Sequence, residues 1–226
     1  HNGNIKPISE ATIPLSCIEY TYGFGVYEAL RVVEGIPTFI DDHIERLMTS
    51  AKVIDLKHPW KTEDIKEFLR LLIHTTQERA YNIKLLLIGG RRKEDAQLFA
   101  IPLAPHFPEK KLYRDGVTVC TYTYERLFPH AKTLNMLGSY LAYREAQRKG
   151  CYDALLRNRN GDITEGTRTN FFVLKGKEIL MAPKEEVLEG VTMKHVLDVA
   201  REQQLKITEC RVTPDMITDC SGAFIT

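Results

Sequence analysis

The first hundred residues alternate short apolar stretches with longer amphipathic ones. The short stretches have the length of β-strands and are bounded by Gly, Pro and charged residues. We predict strands over residues 5–8, 27–33, 37–40, 83–88 and 98–103. The Glu34-Gly35 pair is predicted to form the turn between the second and third of these strands.

Two longer stretches repeat apolar residues at spacings of three and four, which is typical of helices with one buried face. Asp41 or Asp42 is predicted to cap the first helix, and the second opens near Thr62. The expected buried faces are Ile44, Leu47, Met48, Ala51 and Ile54 in the first helix, and Ile65, Phe68, Leu69, Leu72 and Ile73 in the second. Strands that alternate with amphipathic helices predict an α/β (α+β) fold.

The second half of the chain has the same mixture of elements. We predict strands over residues 117–123, 153–157, 163–165, 171–175, 178–181, 207–212 and 223–226, a helix over 135–149 that ends at Gly150, and a helix that opens at Thr192. Residues 104–111 carry two prolines and two lysines, a composition typical of a linker. The expected domains are therefore 1–104, which is smaller, and 112–226, which is larger, joined by the linker 105–111.

Composition narrows the function classes. The 226 residues are 43% hydrophobic and 27% charged, with a net charge of +1, so no electrostatic feature favours a nucleic acid or a membrane surface as partner. The longest apolar runs are too short to span a bilayer. Five cysteines without a Cys-x-x-Cys pair indicate neither a disulfide framework nor a zinc site, and we expect no metal and a reducing cytoplasm.

Three features between residues 132 and 192 offer complementary chemistry. Lys132 has an amine that can form a Schiff base, Glu165 places a carboxylate on a turn after a hairpin, and Gly190-Val191-Thr192 opens a helix that can bind a phosphate. These groups match the aldehyde, pyridine nitrogen and phosphate of pyridoxal phosphate. Taken singly, the first two are also compatible with solvated side chains, and Thr192 with a simple helix cap.

Further cationic residues could bind anions. Arg46 flanks the apolar face of its helix, where it could turn towards a phosphate or extend into solvent. Tyr27 and Arg31 lie on one side of their strand, opposite Val26, Glu28 and Leu30, and could bind a carboxylate or line a rim. The loop Gly89-Gly-Arg-Arg-Lys93 could clamp an anionic substrate or be merely solvated.

Six short motifs occur in a fixed order along nearly the whole chain. They are Tyr22-Gly-Phe-Gly-Val-Tyr-Glu28, His43-Ile-Glu-Arg-Leu47, Lys132-Thr-Leu-Asn135, Ala142 to Ala154 with Glu145 and Gly150, Glu165-Gly to Asn170-Phe, and Leu188-Glu-Gly-Val-Thr192. Together they resemble the class IV aminotransferases, the fold type IV pyridoxal phosphate enzymes. This group includes D-amino-acid aminotransferase, branched-chain aminotransferase and 4-amino-4-deoxychorismate lyase.

The resemblance implies a role for each matching residue. Lys132 would bind the cofactor aldehyde and move the proton, Glu165 would hold the pyridine nitrogen, and Leu188 would support the ring. The phosphate would be bound by Arg46, Val191 and Thr192. Tyr27 and Arg31 would face an amino acid or keto acid substrate.

The resemblance also implies an architecture and an assembly. The fold would be a small N-terminal and a larger C-terminal α/β domain, and the family continues beyond the position of Thr226. The assembly would be a homodimer in which a loop carrying Arg91 and Arg92 reaches the active site of the partner.

Three positions differ from the family pattern. Phe24 replaces a residue that is commonly acidic, Leu137 replaces the tyrosine usual in branched-chain enzymes, and Arg168 replaces a small residue and could narrow the pocket or bind a carboxylate. We expect a pyridoxal phosphate-dependent amino acid aminotransferase. The alternatives are the lyase, which eliminates pyruvate, and a binding or structural protein on the same scaffold.

Overall fold

The computed structural model describes residues 1–105 and 107–226, and these form two compact units. The first unit comprises His1–Pro108 together with Ala131–Asn135, and the second comprises Glu109–His130 together with Met136–Thr226. Residue 106, part of the predicted linker, lies outside the described residues. The short segment Ala131–Asn135 contains Lys132, so the first unit holds this lysine although the chain on either side belongs to the second.

The first unit is one antiparallel sheet covered by helices. Its elements are α1 (Ile18–Thr21), β1 (Gly25–Val33), β2 (Ile36–Pro37), α2 (Ile40–Val53), α3 (Thr62–Thr75), β3 (Ala80–Ile88) and β4 (Gln97–Leu103). The sheet order is β2-β1-β3-β4. The chain turns between β1 and β2 at Glu34 and Gly35, both with positive φ, as predicted.

The core of the first unit forms between this sheet and the helices α2 and α3. Ile44, Leu47 and Ala51 of α2 and Ile65 and Leu69 of α3 are buried against alternate residues of β1 and β3. The other predicted face residues pack partly buried around them: Met48, Ile54, Phe68, Leu72 and Ile73. Both predicted helical faces are therefore confirmed.

Some predicted elements of the first unit are wrong. Residues 5–8 form no strand, since Pro7 has no N–H to donate and a 3₁₀ turn follows at Ile8–Glu10. The predicted strand 37–40 ends at Pro37, and Phe39 takes a left-handed conformation (φ 51°, ψ 41°) as the N-cap of α2. Asp41 and Asp42 therefore lie in the first turn, where their charges favour the positive end of the helix dipole.

The second unit contains two small mixed sheets. Its elements are α4 (Lys110–Asp115), β5 (Val119–Thr123), α5 (Leu137–Arg148), β6 (Asp153–Arg157), β7 (Ile163–Gly166), β8 (Phe171–Lys175), β9 (Glu178–Met181), α6 (Val191–Glu202), β10 (Lys206–Glu209), α7 (Pro214–Thr218) and β11 (Gly222–Ile225). The sheet orders are β5-β6-β7 and β10-β9-β8-β11. Strands β5 and β6 pair parallel, as do β9 and β10, and the remaining pairs are antiparallel.

Each helix of the second unit that has a buried face covers one sheet. Ala142 and Ala146 of α5 pack with Ala154 and Leu156 of β6. Met193, Leu197 and Ala200 of α6 pack on Phe172, Ile179 and Met181. The end of β7 and the start of α6 lie in the same unit.

The mixed α/β organisation in two units agrees with the predicted fold class. The exact boundaries 1–104, 105–111 and 112–226 stay a prediction, although the first unit reaches Pro108 and α4 begins within the predicted linker. None of the described helices has the length and apolar character needed to cross a membrane.

Candidate functional site

The backbone around Lys132 is fixed by two elements of the first unit. Thr133 bridges Val26 of β1, because the Tyr27 N–H donates to the Lys132 carbonyl (2.9 Å) and the Leu134 N–H to the Gly25 carbonyl (2.8 Å). The Lys132 N–H donates to Oγ of Ser50, a fully buried residue of α2 (3.0 Å). The Lys132 side chain thus extends from a segment whose backbone is hydrogen-bonded to both β1 and α2.

This close approach requires glycine at position 25. A Cβ on Gly25 would lie 2.6 Å from Leu134 Cδ1 and 2.8 Å from the Leu87 carbonyl oxygen, both shorter than a real Cβ contact. The motif Gly-Phe-Gly therefore has a packing reason in this chain, and it does not depend on the side chain of Phe24.

The Lys132 ammonium lies on the same face of the sheet as Tyr27. Its Nζ is 4.7 Å from the centroid of the Tyr27 ring, and Nζ of Lys84 is 5.9 Å from the same centroid. A cation over an aromatic face is stabilised by the ring quadrupole. The structure therefore brings the predicted residues Lys132 and Tyr27 together and adds Lys84, which the sequence did not indicate.

Arg46 turns inward, but towards a carboxylate of its own unit. Its Nε and Nη2 donate to Oε1 and Oε2 of Glu28, each at 2.7 Å, and Nδ1 of His43 lies 2.8 Å from Oε2. Glu28 is 0% exposed, on the face of β1 that packs against α2. A bidentate pair of this kind fixes the plane of the guanidinium.

The Glu28 carboxylate keeps its charge in this buried position. Burial raises its pKa, but the hydrogen bonds from Arg46 and His43 and the charges of Arg46 and Lys132 oppose this, so that the pKa lies below the usual value. Glu28 therefore stabilises the folded chain fully above its unfolded pKa, and this contribution is lost as the pH falls through the lower pKa of the folded state.

The other predicted cations of the first unit are more exposed. The Arg31 guanidinium lies 4.2 Å from the centroid of the Phe107 ring. Arg91 pairs with Glu19 (Nε to Oε1, 3.1 Å) and Arg92 with Asp95 (Nη2 to Oδ1, 2.8 Å), and both arginine side chains are 75% exposed. Within the chain, then, the Arg91-Arg92 loop is held by acidic neighbours.

In the second unit, Glu165 is buried at the end of β7. Its Oε2 accepts the Leu188 N–H at 3.2 Å, and its Oε1 accepts a hydrogen bond from Nη1 of Arg126 at 3.1 Å. The side chains of Glu165 and Arg126 are 4% and 16% exposed, respectively. These two hydrogen bonds, one from a guanidinium and one from a backbone N–H, fix the orientation of the Glu165 carboxylate.

A tight turn after Glu165 supports this position. Asp153, which is 1% exposed, accepts hydrogen bonds from the hydroxyls of Thr167 and Thr169. The Gly166 N–H donates to the Thr169 carbonyl at 2.7 Å, and a Cβ on Gly166 would lie only 2.0 Å from Thr169 Oγ1. The buried Asp153 thus stabilises the turn formed by the Glu-Gly-Thr-Arg-Thr-Asn motif, through hydrogen bonds from its two threonines.

The same turn reaches the start of α6. Asn170 Nδ2 donates to the Leu188 carbonyl at 2.7 Å, and a Cβ on Gly190 would lie 2.1 Å from Asn170 Oδ1. The N-cap of α6 is Gly190, and no side chain among the described residues caps the helix. Val191, the first residue of α6, is buried, and Thr192, the second, is exposed. The prediction that Thr192 opens the helix is therefore wrong by one position.

Arg168 points away from the buried part of this turn. It is exposed, and its guanidinium lies 4.3 Å from the centroid of the Tyr143 ring on α5. Of the predicted residues of this unit, the structure therefore brings Glu165 and Leu188 together. Asn170 contacts both Leu188 and Gly190, the residue before Val191. Arg168 instead lies over the ring of Tyr143.

Sequence reasoning missed the partners of several site residues. Glu28 and His43 hold Arg46, and Arg126 holds Glu165. The position of Glu28 among apolar residues of an alternating strand was a usable signal, because a charge on a buried face needs a partner. Arg126 lies in an irregular stretch and carried no such signal. Over residues 1–105 and 107–226, no group of three or more His, Cys, Asp or Glu residues could hold a metal ion.

Comparison with known sequences identifies related proteins. The family described as Amino-transferase class IV matches residues 25–226. The chain is 30% identical to a D-alanine aminotransferase of Bacillus licheniformis, over all of this chain and 82% of that protein. It is 27% identical to a putative branched-chain-amino-acid aminotransferase of Methanocaldococcus jannaschii, over 100% of this chain and 82% of that one.

Solved structures with the same fold extend the comparison. A branched-chain aminotransferase of the thermophilic archaeon Thermoproteus uzoniensis, with norvaline, superposes with a TM-score of 0.86 and 23% identity, covering 100% of this chain and 81% of that one. A putative 4-amino-4-deoxychorismate lyase of Legionella pneumophila superposes with a TM-score of 0.87 and 22% identity, covering 100% and 85%.

Proposed function

The chain belongs to the class IV aminotransferases, and from this premise we propose that it is a pyridoxal phosphate-dependent aminotransferase that moves an amino group from an amino acid to a 2-keto acid. One observation carries the proposal. The amine, the buried carboxylate and the uncapped helix start that the cofactor needs are each held in place by the fold, at Lys132, Glu165 and Gly190-Val191.

The donor set fits pyridoxal phosphate. The free N–H groups and the positive dipole end at the start of α6 suit a phosphate dianion. Asn170 against Gly190 keeps this backbone start bare, because any side chain there would clash. The Glu165 carboxylate suits a protonated pyridine nitrogen, and Lys132 supplies a primary amine. Val191, Thr192 and Arg46 would hold the phosphate, and Leu188 would support the ring.

In the proposed reaction the chain mainly binds, orients and moves protons. Bound pyridoxal phosphate supplies an aldehyde that links to amines and a ring that takes up the electrons of the bond to the substrate α-hydrogen. Lys132 Nζ takes the substrate α-proton and later returns it. Glu165 holds a proton on the ring nitrogen, and its bonds to Leu188 and Arg126 keep its carboxylate in one orientation.

Substrates are amino acids and keto acids, which all carry a carboxylate next to the reacting carbon. Tyr27 and Arg31 on the exposed face of β1 are the proposed contacts for this group. Arg168 is also proposed as a contact for this group. Arg91 and Arg92 would act from a partner subunit, where a substrate carboxylate would compete with Glu19 and Asp95.

We propose that the protein is a cytoplasmic homodimer. Large apolar side chains left exposed support an interface: Leu15, Tyr22, Tyr113, Leu127 and Leu137 are each at least 66% exposed. The cysteines of the described residues are free, as is usual in a reducing compartment. Sedimentation equilibrium of the purified chain measures the assembly directly.

Amino transfer from a D- or L-amino acid to 2-oxoglutarate or pyruvate tests the proposed reaction. We expect the keto acid and the new amino acid to form in equal amounts, with a requirement for both substrates. Pyruvate and aminobenzoate released from aminodeoxychorismate without a keto acceptor, and no transfer with any amino acid, would instead establish the lyase. A purified protein without visible absorption after incubation with pyridoxal phosphate and removal of the unbound cofactor would establish a binding or structural protein.

Arg46→Ala is expected to weaken pyridoxal phosphate binding by about 10- to 100-fold, because a charge-assisted hydrogen bond contributes about 1.5–3 kcal/mol. Equilibrium titration of the cofactor absorption gives the Kd. Pyridoxal, which lacks the phosphate, is the matched control ligand, and its affinity should change little.

The substitution also leaves the buried Glu28 carboxylate without its main partner, which destabilises the fold. The double variant Glu28→Gln/Arg46→Met removes both charges and separates the two effects. It should restore the thermal stability but not the phosphate-dependent affinity. An unchanged Kd for pyridoxal phosphate in the double variant would show that Arg46 serves only to neutralise Glu28.

A further inference from the structure

Lys84 lies on the face of the first-unit sheet that carries Tyr27 and Arg31. The antiparallel register of β1 and β3 places Lys84 directly opposite Ala29. In such a pair the residues two positions away on the facing strand are the diagonal neighbours on the same face. For Lys84 these neighbours are Tyr27 and Arg31.

The three long side chains are neighbours of a small one, Ala29. Ala29 has only a methyl group, and the residue is exposed, whereas its neighbours Glu28 and Leu30 point into the buried face. Lys84 and Arg31 are exposed as well. The sheet therefore presents an open position over Ala29, with a phenol ring, a guanidinium and an ammonium around it.

The contacts of these two cations differ from those of several other arginines in the first unit. Throughout the described ranges 1–105 and 107–226, Arg31 and Lys84 form no ion pair with a carboxylate, whereas Arg46, Arg79, Arg91 and Arg92 of the same unit all do. Their contacts are aromatic instead: Arg31 lies over Phe107 at 4.2 Å and Lys84 over Tyr27 at 5.9 Å. Adjacent like charges on a sheet repel, and a bound anion would relieve that repulsion.

The position is next to the proposed reacting amine. Lys132 Nζ is 4.7 Å from the centroid of the Tyr27 ring that also carries Lys84. An anion bound over Ala29 therefore lies on the same face of the first-unit sheet as Lys132.

We propose that Lys84 is a specificity-determining residue that binds the side-chain carboxylate of a dicarboxylic substrate. Arg31, on the other side of Ala29, binds the carboxylate next to the reacting carbon. The substrate class is then the amino acids and keto acids with a side-chain carboxylate, in preference to those with apolar side chains. This inference rests on the proposed aminotransferase function for its catalytic consequence, but the anion site itself is a property of the sheet face.

Binding of unreactive analogues by the cofactor-loaded protein tests the site without turnover. Glutarate has two carboxylates and butyrate has only one on a similar apolar chain. Isothermal calorimetry should give a glutarate Kd that rises about 10- to 100-fold in Lys84→Met, and a butyrate Kd that changes less than about 2-fold. Lys84→Arg should keep most of the glutarate affinity. The matched control Lys177→Met, on an exposed turn of the second unit, should leave both Kd values unchanged.

Kinetics then tests the consequence for the reaction. The ratio of kcat/KM for glutamate to that for alanine, taken for whichever enantiomer reacts, should fall by a similar factor in Lys84→Met while kcat for alanine is retained. An unchanged ratio, an equal loss for glutarate and butyrate, or no glutarate binding by the unaltered protein would each overturn the inference. If no amino acid is transaminated but Lys84→Met still loses glutarate selectively, the proposed function fails while the anion site stands.

Discussion

Lys132→Ala is expected to lower kcat by at least about 10²- to 10⁴-fold, which is the contribution usual for a positioned proton-transfer group. Loss of the covalent attachment of the cofactor adds to this effect. The measurement is single-turnover transfer at saturating amino donor, so that weaker substrate binding does not enter the rate. The Lys132 carbonyl accepts from the Tyr27 N–H and the Lys132 N–H donates to Ser50 Oγ, so both bonds involve only the backbone of Lys132 and the variant should fold normally.

Lys84 and Lys132 both lie over the Tyr27 ring, so an experiment must distinguish which of the two amines binds the cofactor. Borohydride should fix the cofactor to the peptide that contains Lys132, and trapping should persist in Lys84→Met. Cofactor recovered on a peptide containing Lys84 or Lys111 would end the assignment of Lys132.

Glu165→Gln is expected to retain the cofactor and to lose about 10²- to 10³-fold in kcat, a loss typical of removing one aligned electrostatic contact. A neutral amide no longer favours a proton on the ring nitrogen. It also leaves the guanidinium of Arg126 beside an uncharged group, so the ring nitrogen faces a net positive environment. The measurement is kcat together with cofactor occupancy.

Stability must be followed in the same variant, because a buried ion pair loses one partner. A thermal melt of the variant and of Glu185→Gln, an exposed glutamate in a 3₁₀ turn, separates folding from chemistry. Wild-type kcat in a well-folded Glu165→Gln protein would assign Glu165 a structural role only.

The class IV family and the two-domain α/β fold predicted from six short motifs are confirmed by the family match and the solved structures. The roles of individual site residues, including Lys132, Glu165 and Arg46, stay predictions for the experiments above. The sequence also left the branch of the family open, and the relatives carry the names of D-alanine and branched-chain aminotransferases alike.

The sequence by itself determined the features that depend on neighbouring positions. Period-two alternation placed Tyr27, Ala29 and Arg31 on one side of β1, which is its more exposed side in the structure, and three-to-four spacing identified the buried faces of α2 and α3. These patterns are legible because each side chain's direction follows from its own strand or helix. Where backbone conformation overrode the pattern, at Pro7 and Phe39, the sequence prediction was wrong.

Only the tertiary structure decided which charges meet. Arg46 and Glu28 are 18 residues apart, Arg126 and Glu165 are 39 apart, and Lys84 reaches Tyr27 through the register of two strands. Each of these contacts depends on how separate elements pair and pack, which no local periodicity encodes. The physical reason is that a buried charge is costly without a partner, and this need can be read from the sequence. Which residue becomes the partner depends on the fold, because the fold brings distant segments together.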